Sequence, residues 1–117
     1  MSHLLEKRCV DYKPGSAALS VEEQQLLGAQ VPLWENLDGQ RLRRTFKFDS
    51  YLAGVSWVHS AALIAEQEDH HPDIHIFWRK VVVELWTHTV KGLSENDFIV
   101  AAKLDQLFEG SCEGKVS

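Results

Sequence analysis

The feature that most restricts the fold of this 117-residue chain is a change in the period of its hydrophobic pattern near Ser50. Between Arg41 and Phe48, apolar and polar residues alternate, which is typical of a strand with one buried face. From Ser50 to Glu68, apolar residues recur every three or four positions, which predicts an amphipathic helix. The face that we expect this helix to bury consists of Tyr51, Val55, Val58, Ala62 and Ala65.

Turn and capping signals divide the rest of the chain. Ser20 and Glu23 form a capping box, so a short helix should begin there and stop before Pro32. Asp38-Gly39 is a hairpin signal between a short strand at 34–37 and the alternating strand. The remaining predicted elements are strands at 74–78 and 80–88 and a capped helix that follows Ser94. The order α-β-β-α-β-β-α predicts an α+β fold, a four-stranded antiparallel sheet with helices packed on one face.

Composition sets the broad class of protein. The chain has the length of one domain, and 44% hydrophobic with 25% charged residues is typical of a globular protein. We divide it into a flexible N-terminal arm (1–19), a single domain (20–108) and a C-terminal tail (109–117). A formal net charge of −5 disfavours nucleic acid or an anionic membrane surface as a partner. No stretch approaches the roughly 18 apolar residues of a membrane span.

The cysteines and the N-terminus indicate a compartment. Cys9 and Cys112 lie near opposite ends of the chain, without the spacing of a disulfide framework or a metal site. That usage is typical of a reducing environment. The first residues are charged where a signal peptide would be apolar. We therefore expect a cytoplasmic protein.

Three of the six histidines are candidate functional residues. His70 and His71 follow the long helix and are held in a defined turn by Pro72. Along the last predicted strand His88 shares a face with Trp86, because alternate residues point to opposite sides of a sheet. We expect that face to lie away from the helices, which makes it a plausible ligand site.

Other interpretations of the histidines remain open at this stage. A histidine pair at a helix end, taken alone, is more often a partner for the helix dipole than a catalytic group. His70, His71 and His75 could suggest zinc, but they lack an HExxH or cysteine pattern, so we predict no metal site. His3 and His59 are expected to be surface residues.

The composite spacing of these residues is more specific than any one of them. It resembles the signature of the pterin-4a-carbinolamine dehydratase family and is written Glu66-x3-His70-His71-Pro72-x5-Trp78-x9-His88-x8-Asp97. The strings Glu-Asp-His-His-Pro and Thr-His-Thr-Val-Lys-Gly-Leu-Ser are similar to that family's two active-site segments. The resemblance extends from about Trp34 to Phe108.

The resemblance implies both an activity and a set of site residues. The activity is dehydration of 4a-hydroxytetrahydrobiopterin (pterin-4a-carbinolamine) to quinonoid dihydropterin and water, which recycles the cofactor of aromatic amino acid hydroxylases. The implied catalytic residues are His70, His71 and His88. The implied pterin-binding residues are the same histidines with Pro72, Thr87, Thr89 and Val90, supported by Glu66 and Trp34. Val90 and Asn96 depart from the family pattern; relatives often have a basic residue at the position of Asn96.

Histidine suits such a reaction because water loss needs a proton on the 4a-hydroxyl and removal of the proton on N5. Both steps are general acid–base catalysis near neutral pH. We assign proton transfer to His70 and His88 and pterin binding mainly to His71, with Glu66 orienting an imidazole one helical turn away. No redox step occurs, so no cofactor is implied, and the chain has no glycine-rich dinucleotide loop.

Two alternatives and several partners follow from the same resemblance. One alternative is a pterin-binding relative in molybdopterin metabolism; the other is a non-catalytic module that stabilises dimers of another protein. For this chain we expect a pterin substrate, a homodimer or homotetramer, and an aromatic amino acid hydroxylase as a partner. The motive for self-association is an apolar open sheet face around Trp86 and the alanine-rich long helix.

Overall fold

The computed structural model describes residues 4–111, and residues 115 and 116 by their backbone. The expectations for His3 and Cys112 therefore lie outside the described residues. Three α-helices and five strands are present within them: α1 Val21–Gly28, β1 Glu35–Leu37, β2 Arg41–Phe48, α2 Tyr51–Glu68, β3 Asp73–Ile76, β4 Lys80–Leu85, α3 Glu95–Glu109 and β5 Lys115–Val116. The predicted α+β fold and its element order are confirmed, and β5 is a short addition that the sequence did not reveal. No helix among these residues has the length and apolar character needed to cross a membrane.

The sheet is antiparallel, with the strand order β1-β2-β4-β3. The turn between β1 and β2 has positive φ at Asp38 (55°) and Gly39 (72°), the conformation that Asp-Gly hairpins adopt. In the centre of the sheet Leu42 lies opposite Leu85 and Phe46 lies opposite Val81. The two residues of β5 pair with the far end of β2.

Helices α2 and α3 cover one face of the sheet, and aromatic rings fill the space between. The ring of Phe46 lies 4.4 Å from that of Trp57 and 5.1 Å from that of Phe108, measured between centroids. The predicted apolar residues of α3 are all buried: Phe98, Ala101, Ala102, Leu104 and Phe108. The predicted core side of β4, which consists of Val81, Val83, Leu85 and Thr87, is buried as well.

Of the predicted core face of α2 only Ala65 is buried, because the helix is rotated from the expected orientation. The buried residues are Gly54, Trp57, Ala61, Ala65 and Glu68. Tyr51 is exposed, and Val55, Val58 and Ala62 are half-buried. Small residues occur all round this helix, so their period did not fix its orientation. Burial of Trp57, its largest apolar side chain, determines the face that meets the sheet.

Two further expectations need correction. Strand β4 ends at Leu85 and not at His88, because Thr87 pairs with Gly92 across a tight turn and 88–90 form a single 3-10 turn. The open face of the sheet is also not apolar, since Arg41 and Arg43 form ion pairs with Glu84 there. Self-association stays a prediction, but an apolar open sheet face no longer supports it.

The helix–sheet contact at Gly54 provides a test of the packing. A Cβ atom there would lie 3.4 Å from Val81 Cγ2 and 3.5 Å from Phe48 Cδ2, which is ordinary contact. Glycine inside a helix is unfavourable relative to alanine, so we expect Gly54→Ala to raise the free energy of unfolding by roughly 0.5–1 kcal/mol. Gly54→Leu should lower it by about 1–3 kcal/mol through overpacking. Urea denaturation measures both, and a leucine variant as stable as the alanine variant would contradict the close approach.

Candidate active site

The end of α2 fixes the position of His70. Asp69 adopts a left-handed conformation (φ 51°), its N–H donates to Glu66 O at 3.3 Å, and the N–H of His70 donates to Ala65 O at 3.2 Å. This pair of bonds is the Schellman closure of a helix, and Pro72 then prevents any continuation. The imidazole of His70 is only 12% exposed, and its Nε2 lies 2.7 Å from Asp97 Oδ1.

Asp97 lies in the first turn of α3 and is completely buried. Its Oδ2 accepts hydrogen bonds from the Thr87 hydroxyl at 2.8 Å and from the Ser94 N–H at 2.9 Å. An ionised carboxylate can only accept, so the nitrogen of His70 that faces it, Nε2, must carry a proton. In neutral His70 the lone pair is therefore on Nδ1, the nitrogen that remains available to a ligand.

His71 and Glu66 form a second, more exposed pair. Nε2 of His71 lies 3.2 Å from Glu66 Oε2, and both side chains are more than half exposed. We expected Glu66 to orient an imidazole about one turn further on, and the imidazole that its carboxylate meets is that of His71 and not that of His70. The left-handed residue Asp69 turns His70 towards α3 and returns His71 over the last turn of α2.

The imidazole of His88 lies against the indole of Trp86, with 3.7 Å between the ring centroids and 40° between the ring planes. The indole N–H of Trp86 donates to Asp73 Oδ2 at 3.3 Å, and the guanidinium of Arg41 lies 5.1 Å from the ring centroid. His88 is exposed. The predicted proximity of His88 and Trp86 is confirmed, although the strand itself ends before them.

The segments 70–73 and 86–97 thus meet at two points. His70 reaches Asp97 and, through it, Thr87, while Asp73 reaches Trp86. All three candidate histidines lie on these segments, at the joined ends of α2, β4 and α3.

The other predicted site residues fall into two groups. Pro72 and Thr89 are partly exposed beside the histidines in sequence, whereas Thr87 and Val90 are buried. The hydroxyl of Thr87 is used to hold Asp97. Trp34 lies in the core and donates to Asp105 Oδ1 at 2.7 Å. Asp105 is eight residues, or about 12 Å of helix, beyond Asp97, so these contacts do not bring Trp34 to the histidines.

A cavity of about 600 Å³ lies elsewhere, between α1, the β1–β2 hairpin and the start of α3. Its lining includes Gln24, Trp34 and Phe98 but none of the three candidate histidines. Two of its amide groups are already bonded to protein atoms, since Asn36 donates to Gln24 Oε1 at 2.8 Å and Gln24 donates to Leu19 O at 3.1 Å. The imidazole–carboxylate pairs lie at the histidines, and we therefore place the candidate site there.

Asp97 was not among the predicted site residues, although it ends the spacing that resembles the family signature. The structure gives it two roles, because one oxygen caps α3 and the other meets His70. The spacing of nine residues between His88 and Asp97 was the available signal.

This α+β domain has imidazole–carboxylate pairs where α2 ends and α3 begins, and such pairs can exchange protons with a ligand. The family model described as "Pterin 4 alpha carbinolamine dehydratase" matches residues 17–107, and the chain belongs to that family.

Named relatives and solved structures agree with this membership. A protein of Rubrobacter xylanophilus is 41% identical over 107 residues, which cover 92% of this chain and all of that one. A protein of Xanthomonas campestris pv. campestris (strain 8004) is 46% identical, covering 92% of this chain and 88% of that one. Both are named "Putative pterin-4-alpha-carbinolamine dehydratase".

Two solved structures share the fold. A "transcriptional coactivator/pterin dehydratase" from Brucella melitensis has a TM-score of 0.72 at 31% identity, covering 77% of this chain and 97% of that one. A "pterin dehydratase-like protein", described as a RuBisCO assembly factor in the alpha-carboxysome, has a TM-score of 0.57 at 25% identity and covers 67% of this chain and 92% of that one.

The hydrogen bond between His70 and Asp97 predicts a change of tautomer in Asp97→Asn. The amide can still accept from Thr87 and Ser94, but its NH₂ group then faces His70 and requires a lone pair on Nε2. We expect the ring proton of His70 to move from Nε2 to Nδ1, as read from the ¹⁵N chemical shifts of the two nitrogens. Glu66→Gln is the control and should leave His70 unchanged. An Nε2–H tautomer retained in Asp97→Asn would show that the carboxylate does not set it.

Proposed function

We propose that this protein dehydrates 4a-hydroxytetrahydrobiopterin to quinonoid dihydropterin and water, by general acid–base catalysis at His70 and His88. The observation that carries the proposal is the 2.7 Å contact between His70 and the buried carboxylate of Asp97, in a member of a family named for this activity. A buried carboxylate that orients one imidazole nitrogen leaves the other ready to exchange a proton with a substrate.

The reaction moves two protons and breaks one bond. One imidazole removes the proton from N5 of the pterin, and the N5 electron pair forms a double bond to C4a as the C4a–O bond breaks. The other imidazole protonates the departing hydroxyl, which leaves as water. We assign the N5 proton to Nδ1 of His70, because Asp97 stabilises the imidazolium that results.

The acid is then His88, and the pterin ligand is His71. His88 is exposed and its ring is held from one side by Trp86, so the opposite side is free to meet a substrate hydroxyl. His71 has a weaker, solvent-exposed partner in Glu66, which suits a group that exchanges one hydrogen bond for another when the pterin binds.

Substitution of each histidine separates these roles. Replacing His70 or His88 by Ala should lower kcat by roughly 10²–10⁴-fold, the usual contribution of one acid–base group. His71→Ala should raise KM more than it lowers kcat, because it removes binding common to the ground and transition states. Stopped-flow assays of dehydration measure both constants, and thermal melts identify variants that merely unfold. Wild-type kcat in a folded His70→Ala, His88→Ala double variant would end the proposal.

Proton transfer alone is required, so we expect activity without a metal ion. Exhaustive chelation should leave kcat and KM unchanged in the assay with the natural protein. Lost activity that one specific metal restores would contradict this expectation, and a chelated sample tested by circular dichroism controls for loss of structure.

A second candidate function is protein interaction, which the roles described for the two structural relatives favour. One of them is described as a transcriptional coactivator and the other as an assembly factor. If this chain acts chiefly by binding another protein, a pull-down should be unaffected by His70→Ala and the dehydration assay should show no activity above the uncatalysed rate.

A further inference from the structure

The segment Leu4–Val10 precedes the family-matched region, which begins at residue 17, yet it is bound closely to the fold. We name it the N-terminal clasp. Leu4 is completely buried and belongs to the hydrophobic core. This segment was expected to be part of a flexible arm; the structure gives it specific partners, while the proposed domain bounds stay a prediction.

The first set of clasp contacts is at the end of α2. Glu68 has a side chain only 4% exposed, and its carboxylate accepts from the Cys9 N–H at 2.8 Å and contacts Arg8 Nε at 2.9 Å. Lys103 of α3 donates to the same carboxylate at 3.1 Å. Arg8 also donates to Gln67 O at 3.1 Å, so its cation lies at the negative end of the α2 dipole.

The second set is at the start of α3. The side chain of Asn96 donates to Val10 O at 2.7 Å and accepts from the Val10 N–H at 3.0 Å. A primary amide satisfies both backbone groups of one residue, which a basic side chain at this position cannot do because it has no acceptor. The departure of Asn96 from the family pattern thus has a specific structural consequence in this chain.

Glu68 and Asn96 lie close in sequence to the pair that defines the candidate site. Glu68 is two residues before His70, and Asn96 immediately precedes Asp97. The clasp therefore joins the two helix ends whose separation sets the 2.7 Å contact between His70 and Asp97.

We propose that the N-terminal clasp keeps the side chains of His70 and Asp97 at hydrogen-bonding distance. In this proposal Asn96 and Glu68 are positioning residues of the active site. The catalytic part of this inference rests on the proposed function. The geometric part, that the clasp maintains the hydrogen bond of His70, does not depend on it.

The charge states of Glu68 and Cys9 favour clasp contacts that persist at neutral pH. Burial alone would raise the pKa of Glu68, but the Cys9 N–H, Lys103 and Arg8 together lower it below its ordinary value. Glu68 is thus ionised at neutral pH. Burial, and then the adjacent Glu68 carboxylate, raise the pKa of Cys9 to about 12. Cys9 therefore remains a thiol and is a packed side chain of the clasp and not a nucleophile.

The test replaces Asn96 by Ala, which removes both bonds to Val10 and leaves the catalytic residues intact. The matched control is Lys7→Ala, in the same segment, which removes an ion pair with Glu95 on the surface, where such pairs contribute little. The first measurement is the ¹H–¹⁵N signal of His70 Nε2–H, assigned by its loss in Asp97→Asn. We expect the signal to exchange rapidly with water in Asn96→Ala and to be unchanged in Lys7→Ala.

The second measurement is kcat, which we expect to fall roughly 10-fold in Asn96→Ala with little change in KM, because small displacements of catalytic groups are costly. Asn96→Asp keeps the acceptor for the Val10 N–H, so its kcat should lie between those of the natural protein and Asn96→Ala. This variant also provides the test if the alanine variant is unfolded. A wild-type His70 signal together with wild-type kcat in folded Asn96 variants would overturn the proposal. If the natural protein has no dehydratase activity, the proposed function fails, while the His70 signal still decides whether the clasp positions the pair.

Discussion

The buried carboxylate of Asp97 is the interaction on which the rest of the site depends. Burying a charge is costly unless every oxygen is well supplied with donors, and Asp97 obtains them from Thr87, Ser94 and His70. Those three donors come from the ends of β4, α3 and α2. Satisfying one carboxylate therefore requires three elements to meet at one place, and an imidazole is fixed there with a defined nitrogen facing inwards.

Local chemistry made much of the fold predictable. Alternation along β2 determines which of its residues face the core, because a shift of one residue would reverse every side chain. Asp38-Gly39 tolerates two successive positive φ angles, and Ser20 and Ser94 each begin a helix with a carboxylate three residues later. Each of these signals acts within a few residues, so its outcome does not depend on distant parts of the chain.

Two features that the sequence did not predict, the rotation of α2 and the clasp, depend on distant contacts. The rotation of α2 is set by the fit of Trp57 against Phe46 and Phe48, and small residues on every side of the helix gave no preference. The partner of Glu66 is decided locally, because the left-handed residue Asp69 redirects the chain after the helix and brings His71 to it. The clasp was missed because a short segment without periodicity is held by a few polar bonds from Glu68 and Asn96, whose partners lie more than 55 residues away in sequence.

The two proton-transfer candidates are held in physically different ways, and this difference suits different roles. His70 is nearly buried and oriented by a charge-assisted hydrogen bond, which fixes both its position and its tautomer. His88 is exposed and is held by a tilted ring contact with Trp86, which supports one side of the imidazole and leaves the residue open to solvent. A base that must always present the same lone pair benefits from the first environment. An acid that must regain its proton from water after each turnover benefits from the second, because solvent reaches it directly.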